Sequence, residues 1–277
     1  VLAVTALPTN PVGDISGDWN VDITDFVSMA NNWLAAETDL NVLQGNLFYY
    51  DTGVNLKDFS VLAAQWQNTS DWMDGVTAYW KLDETAGTSA TDSSGNGYQG
   101  TLMNMSDAAW VAGKRGNALS FDGSNDYVVV PNYKGITGTA ARSCGAWIKT
   151  AKLSGEIITW GASDAGTKWI VRINENGTLR TEISSGYLYG TTVLTDNQWH
   201  HIAVILADDG SPAVDEIQLY VDGRLEPIAE VLNRSVNTAV SQNVQIGAFA
   251  SSPRYFLGFM DDIWIFDKAL TSEQIQA

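Results

Sequence analysis

From Thr77 onward the chain is cut into short β-rich runs by turn residues, and this punctuation limits the fold more than any other feature. The runs are 77–83, 117–121, 127–130, 144–148, 156–160, 169–173, 178–183, 199–206, 216–221, 244–249 and 262–266. Valine, isoleucine, threonine and aromatic residues fill them, and Asp122-Gly123 and Asp222-Gly223 supply hairpin-type turns between them. Many short strands with no long helical period predict a mainly β fold, an antiparallel sandwich. Only at the end does a helical signal return, where Thr271 stands three residues before Gln274 as in a capping box.

The first seventy residues follow a different grammar. Val21, Asp25, Phe26, Ala30 and Trp33 recur at an offset of 33 as Val54, Asp58, Phe59, Ala63 and Trp66. Phe26, Met29, Ala30 and Trp33 fall at i, i+3, i+4 and i+7, as do Phe59, Leu62, Ala63 and Trp66, so each copy predicts one short helix with a single apolar face. The polar stretch Gln67–Asp71 separates the two grammars. The expected organisation is an apolar arm at 1–12, a duplicated loop-helix module at 13–70 and a β domain at 71–277.

The loop ahead of the first helix carries chemistry. Counted from Asp14, oxygen-bearing residues occupy positions 1, 3, 5, 7, 9 and 12: Asp14, Ser16, Asp18, Asn20, Asp22 and Asp25. A hard cation takes six to eight oxygen ligands, and a twelve-residue EF-hand-type loop presents them at these places, the seventh through its backbone carbonyl. The loop is therefore expected to bind Ca2+. The second copy places Leu47 and Tyr49 where ligands would stand and keeps Asp51, Asn55 and Asp58. Two readings stay open there: a calcium loop shifted to begin at Asn46, or a metal-free loop packed around Phe48 and Tyr50.

These residues resemble a dockerin type I module of the planctomycete type. The resemblance implies docking onto another protein, either a cohesin or copies of the same chain. The first loop departs from the pattern in having Trp19 where such loops place glycine. The pairs Ile23-Thr24 and Leu56-Lys57, at the positions used for recognition, differ from one another.

In the β region the phrases Ala78-Tyr79-Trp80-Lys81-Leu82-Asp83-Glu84, Asp92-Ser93-Ser94-Gly95-Asn96-Gly97, Gly116–Gly123, Trp199-His200-His201-Ile202-Ala203, Leu219–Gly223 and Asp261–Phe266 occur in order. Together they resemble a laminin-G-like, concanavalin A-like jelly roll over residues 75–277. The resemblance implies two packed sheets with neighbouring first and last strands, and a structural cation held among Asp92, Asn96 and Asp262. The alternative for Asp92 and Asn96 is that they only shape a turn.

Composition removes several function classes. With 32 acidic and 15 basic side chains the net charge is −17, which disfavours a phosphate-binding surface and so nucleic acid. No uncharged apolar run is long enough to span a bilayer. His200 and His201 are the only histidines and adjoin inside a strand, one ring expected inward and one outward, which leaves little for a zinc site or a triad. Cys144, the single cysteine, reads as a buried strand residue. Asp261-Asp262 and Asp215-Glu216 are expected on opposite faces of a strand and so unable to flank a glycosidic bond. The chain is expected not to be an enzyme.

Tyr98, Tyr133, Tyr187, Tyr189, Tyr255 and Phe256 stand in loop-like contexts as candidate sugar platforms or packing residues. The arm Val1–Leu7 is uncharged and β-leaning, and Pro8 to Pro11 ends it. It is too short for a signal peptide. It can lie on its own domain or be donated to a neighbouring subunit's sheet edge. The function expected is that of a calcium-stabilised structural or adhesive protein, secreted or at the cell surface, that assembles with other proteins. The alternative is a carbohydrate-binding module docked onto a cohesin-bearing complex.

Overall fold

The computed structural model describes residues 74–249 and 254–276. The arm at 1–12, the module at 13–70, the loop Asp14–Asp25 and the second loop Leu47–Asp58 all lie outside the described residues. The chain divides into two units, and the one treated below is Gly75–Ile275.

Its strands are β1 (Val76–Trp80), β2 (Ser89–Ala90), β3 (Gly100–Met103), β4 (Trp110–Ala112), β5 (Asn117–Asp122), β6 (Tyr127–Val129), β7 (Arg142–Lys149), β8 (Gly155–Gly161) and β9 (Lys168–Ile173). There follow β10 (Thr178–Glu182), β11 (Tyr187–Val193), β12 (Trp199–Leu206), β13 (Gln218–Val221), β14 (Arg224–Leu225), β15 (Ile228–Leu232), β16 (Gln242–Ile246) and β17 (Leu257–Phe266). One short helix, α1 (Ser272–Gln276), follows. The expected capping bonds precede it: Gln274 Oε1 accepts from the Thr271 amide, and Thr271 Oγ1 accepts from the Gln274 amide.

The strands form two antiparallel sheets. One has eight strands, in the order β14-β13-β12-β7-β17-β5-β4, with β1 also on β17. The other has nine, in the order β15-β11-β10-β9-β8-β16-β6-β3-β2. The first and last strands are neighbours, Tyr79 opposite Trp264 and Trp80 opposite Ile263. The sandwich expected from the runs is the one found. The short strands β2, β3, β4 and β14 and the pair β11 and β15 were not legible as runs.

Alternate residues of both sheets meet in one core. Trp80, Trp160, Trp169, Phe121 and Phe256 are its largest apolar members, and Trp160 stacks on Trp169 with ring centroids 5.9 Å apart. Each such ring contributes on the order of 3 kcal/mol by leaving water. Cys144 lies in this core as expected, and burial pushes its thiol up to about 12, so it is inert. Beside it Arg142 is fully buried, and among the described residues no carboxylate pairs with its guanidinium. Its nitrogens donate to the carbonyls of Ile136, Gly138 and Ala140 and to Thr238 Oγ1, and it lies 5.0 Å from the Trp169 ring centroid. The carbonyl cage replaces the water that the cation loses.

The two adjacent-acid expectations need correction. Asp215 and Glu216 are in a 3-10 turn, Val214–Glu216, not a strand. Asp261 and Asp262 do not point to opposite faces either. The register of β17 on β7 runs Asp261 opposite Trp147 and then Trp264 opposite Gly145, so β17 has one extra residue at this point. Asp262 takes a positive φ of 47° at this bulge. Both carboxylates then reach Arg115: Asp261 Oδ2 accepts its amide at 2.9 Å, and Asp262 Oδ2 lies 4.0 Å from its Nε. The bulge stands where β17 exchanges β5 for β1 as its edge neighbour.

Candidate functional site

The outward residues of the nine-stranded sheet form a regular lattice. Strand register places Glu156, Arg172, Arg180, Tyr189 and Glu230 side by side across β8, β9, β10, β11 and β15. The next row is Thr159, Ile170, Glu182, Tyr187 and Leu232. Period-two alternation is the local cause, since Leu179, Thr181 and Leu188 between these residues turn inward and are buried.

Charges pair across the rows. Glu182 Oε1 accepts from Lys168 Nζ at 2.7 Å, and Glu182 Oε2 from Arg172 Nε at 3.1 Å. Arg172 also grips Glu175 through both terminal nitrogens at 3.0 Å. Arg180 Nε lies 3.2 Å from Glu182 Oε2. Burial alone would raise the Glu182 carboxyl. Lys168, through its hydrogen bond and its charge, together with Arg254 and Arg172, outweighs burial and holds it at about 2. Glu156 is fully buried and shifted upward, chiefly by that burial, against its bond to the Arg254 amide. Four cations (Lys168, Arg172, Arg180, Arg254) balance four anions (Glu156, Glu175, Glu182, Glu230), so the lattice is locally neutral on a strongly acidic chain.

At the β11–β15 end the lattice opens to solvent. The rings of Tyr187 and Tyr189 stack with centroids 6.3 Å apart and planes 15° apart. Their phenols donate to the two oxygens of Glu230, at 2.5 and 2.7 Å. The Arg180 guanidinium lies 3.9 Å from the Tyr187 centroid. Two nearly parallel rings are thus held with a cation over one of them and a carboxylate at both hydroxyls, and Leu232 stands opposite Tyr187. Toward the other end, Gln245 Oε1 and Asn243 Oδ1 are buried acceptors without a hydrogen bond.

The other candidate aromatics separate from this pair. Phe256 is in the core, edge-on to Phe121 at 6.0 Å, and Tyr98 stacks on Tyr133 at 4.1 Å against the same core. Neither cluster is a platform. Among the described histidines, His200 bonds to Asp222 and Asp196, while His201 packs between Trp147 and Trp264 on the outer face of the eight-stranded sheet.

Of the residues expected to hold cations, Asp14, Ser16, Asp18, Asn20, Asp22 and Asp25 are outside the described residues. Asp92 and Asn96 share a loop at the edge of β1. Asp92 accepts the amides of Tyr79, Ser94 and Tyr98, and Asn96 donates to the carbonyls of Val76 and Thr77. Asp262 is on the opposite side, where its Oδ1 accepts from the Tyr79 hydroxyl. Tyr79 spans the two carboxylates, its amide on one and its phenol on the other, so the three residues are not gathered in one place. Among the described residues no group of three or more His, Cys, Asp or Glu side chains forms a metal-binding cluster. Asp261 nevertheless keeps a buried Oδ1 without a partner. Burial pushes its carboxyl up to about 7, against the pull of the Arg115 amide and helped by the Asp262 charge.

Sequence reasoning singled out Tyr187 and Tyr189 but not Arg172, Arg180, Glu182, Glu156, Glu230 or Arg254. The alternation of Arg180 and Glu182 with Leu179 and Thr181 was the signal available for an outward charged row.

Residues 122–276 match the family model described as the concanavalin A-like lectin/glucanases superfamily. No curated protein matches the sequence. Among solved structures, domain 4 of AbnA, a GH43 extracellular arabinanase from Geobacillus stearothermophilus in complex with arabinotriose, aligns with a TM-score of 0.53 and 21% identity. That alignment covers 73% of this chain and 96% of that one. The receptor-binding domain of botulinum neurotoxin D aligns at 0.50 and 16% identity, and the binding domain of Paraclostridial Mosquitocidal Protein 1 at 0.51 and 11%. Each of the latter two covers 74% of this chain, which spans 52% of theirs.

Proposed function

The chain belongs to the concanavalin A-like lectin/glucanases superfamily, and from that premise we propose that its jelly roll is a non-catalytic recognition domain holding a neutral glycan on the outer face of the nine-stranded sheet. The observation that carries this reading is the tyrosine pair fixed by Glu230 beside Arg180. Tyr189 and the side of Tyr187 away from Arg180 offer apolar surface to a sugar ring, while the neighbouring carboxylate and guanidinium offer an acceptor and donors to its hydroxyls. A locally neutral lattice suits an uncharged polyhydroxylated ligand. The arabinotriose held by the similar arabinanase domain supports a saccharide.

One pair of neighbouring carboxylates on this face is closed to hydrolysis. Glu156 and Glu182 stand on either side of one Arg254 nitrogen, each 3.0 Å from it. A glycosidic bond would have to lie between two acids, and here a guanidinium occupies that space.

The test is retention on neutral polysaccharide affinity gels, with reducing-sugar release measured in parallel. Retention that falls at least tenfold in Tyr187→Ala and Tyr189→Ala, with no sugar released, is expected. Equal retention of wild type and both variants overturns the platform, and sugar release overturns the non-catalytic reading.

For residues 13–70 the reading is a Ca2+-loaded dockerin-like module that joins a secreted or cell-surface protein to a cohesin or to copies of itself. Its support is the spacing of Asp14, Ser16, Asp18, Asn20, Asp22 and Asp25. A module of this size draws much of its stability from its ion. Thermal melts are expected to lose a transition in EDTA and regain it with calcium; superimposed melts overturn the reading. On this view the whole chain is an adhesive protein, the module attaching it and the jelly roll presenting the glycan surface.

A further inference from the structure

Sheet edges are where chains recruit one another, because one side of an edge strand has unpaired N–H and C=O groups. Three of the four edges at the ends of the two strand orders are protected by being short, β2 and β14 with two residues each and β4 with three, and β1, a further edge beside β17, is covered by Asp92 and Ser93. The fourth, β15, has five, and every one is exposed. It pairs with β11 on one side, and among the described residues no backbone hydrogen bond is made on its other side. Ile228, Val231 and Leu232 are 43%, 45% and 48% exposed, and Leu225 and Val193 beside them 59% and 55%.

One device that blunts natural edges is present, a bulge at Ala229 where the register of β15 on β11 shifts, but Glu230 to Leu232 beyond it run regularly and lack the other devices. β15 contains no lysine and no proline, and its one charge, Glu230, is already held by Tyr187 and Tyr189.

We propose that β15 is the acceptor edge for a strand donated by the segment Val1–Leu7 of a second copy of this chain. That segment, Val-Leu-Ala-Val-Thr-Ala-Leu, is uncharged, so it adds no repulsion when it meets a molecule of net charge −17. Only Thr5 is polar, so apolar side chains are available to meet Ile228 and Val231, which the bulge between Tyr189 and Gly190 puts on one face of β15, and Leu232 on the other. Seven extended residues reach about 23 Å, enough to cover five residues of β15. Pro8 and Pro11 lack the amide needed to continue a ladder and end the donated strand. Each copy carries one donor and one acceptor, so the contact is head-to-tail and builds a chain of subunits unless it closes into a ring.

The test is the mass of the full chain by light scattering across a concentration series. Wild type is compared with a deletion of residues 1–7 and with Val231→Lys, whose exposed side chain leaves the fold intact as checked by circular dichroism. Assemblies larger than one 30.0 kDa chain are expected for wild type and single chains for both variants. A synthetic Val1–Leu7 peptide is expected to bind the deleted protein and to bind it at least tenfold more weakly once Val231→Lys is added. A wild type that stays monomeric overturns the proposal, as does assembly that survives either change, or a peptide that binds both proteins equally. A segment folded back on its own β15 gives the monomeric result and counts against it.

Discussion

On the outer face of the eight-stranded sheet, aromatic rings occupy the positions that arginines and glutamates take on the nine-stranded sheet. Register sets Trp199, Lys149 and Phe259 in one row and His201, Trp147 and Asp261 in the next, with Trp264 and Phe266 beyond. His201 lies between Trp147 and Trp264 at 5.3 and 6.1 Å, and Trp264 meets Phe266 edge-on at 5.4 Å. Burial holds the His201 ring down at about 4, so it is a neutral aromatic at physiological pH. Lys114 lies 4.7 Å from the Trp147 centroid and Lys149 6.0 Å from that of Phe259, so lysine stems cover these rings. On the nine-stranded sheet Glu230 holds the hydroxyls of Tyr187 and Tyr189, and Arg180 lies over the Tyr187 ring. The same pleat therefore makes a packed surface where rings and lysines cover one another, and a more open one where Arg180 lies over Tyr187 and Glu230 ties the two hydroxyls. Aromatic content alone does not tell a platform from a second core.

The largest effect is expected where the aromatic face depends on a missing side chain. A Cβ on Gly145 would stand 2.3 Å from Trp264 Cζ2 and 2.5 Å from the Ile202 carbonyl. Gly145→Val is expected to cost about 3 kcal/mol or more in urea unfolding. A loss under about 1 kcal/mol would show that the ladder adjusts freely and is not a close-packed layer.

The charged face should respond to pH instead. Glu182 is depressed to about 2 in the fold from an ordinary 4.5. A depressed acid contributes stability that is present above the unfolded value and is lost as pH falls through the folded one. Roughly 3 kcal/mol is expected to disappear between about pH 4.5 and 2. Glu182→Gln should flatten that part of the curve, and parallel curves for the two proteins would mean that the lattice charges are screened.

The smallest effect on folding belongs to the braced rings. Tyr189→Phe removes one hydroxyl from Glu230 at the surface. The melting midpoint should stay within error of wild type while retention on a neutral polysaccharide falls several-fold. A shifted midpoint with unchanged retention would turn the pair into packing and erase the contrast between the faces.

Legibility followed burial. Runs with one buried face, such as β7, β9 and β12, announced themselves by alternation or by continuous apolar content. β15 did not, because all five of its residues are exposed and nothing in its composition needs one face hidden. β11 was masked by Gly190 and by Thr191 and Thr192 at its open end. Phe256 and Tyr133 read as loop aromatics because they flank turns, yet each packs against the sandwich core. The lattice was half legible: Tyr187 and Tyr189 were candidates, but the partners that brace them lie 43 and 41 residues away at Glu230.

Local chemistry, which needs no partner, was fixed by residue order alone: turn residues between apolar runs, capping bonds between Thr271 and Gln274, alternating oxygens from Asp14 to Asp25. The placing of charges was not. Asp261 and Asp262 share one side because β17 changes its neighbour at that point and absorbs an extra residue in a bulge. Glu156, Arg172, Arg180, Tyr189 and Glu230 align because four successive strands and β15, which returns to lie beside β11, settle into one register. Such contacts exist only once the sheets have closed, since each depends on groups that the sequence holds far apart and that only the packed core brings within a few ångströms.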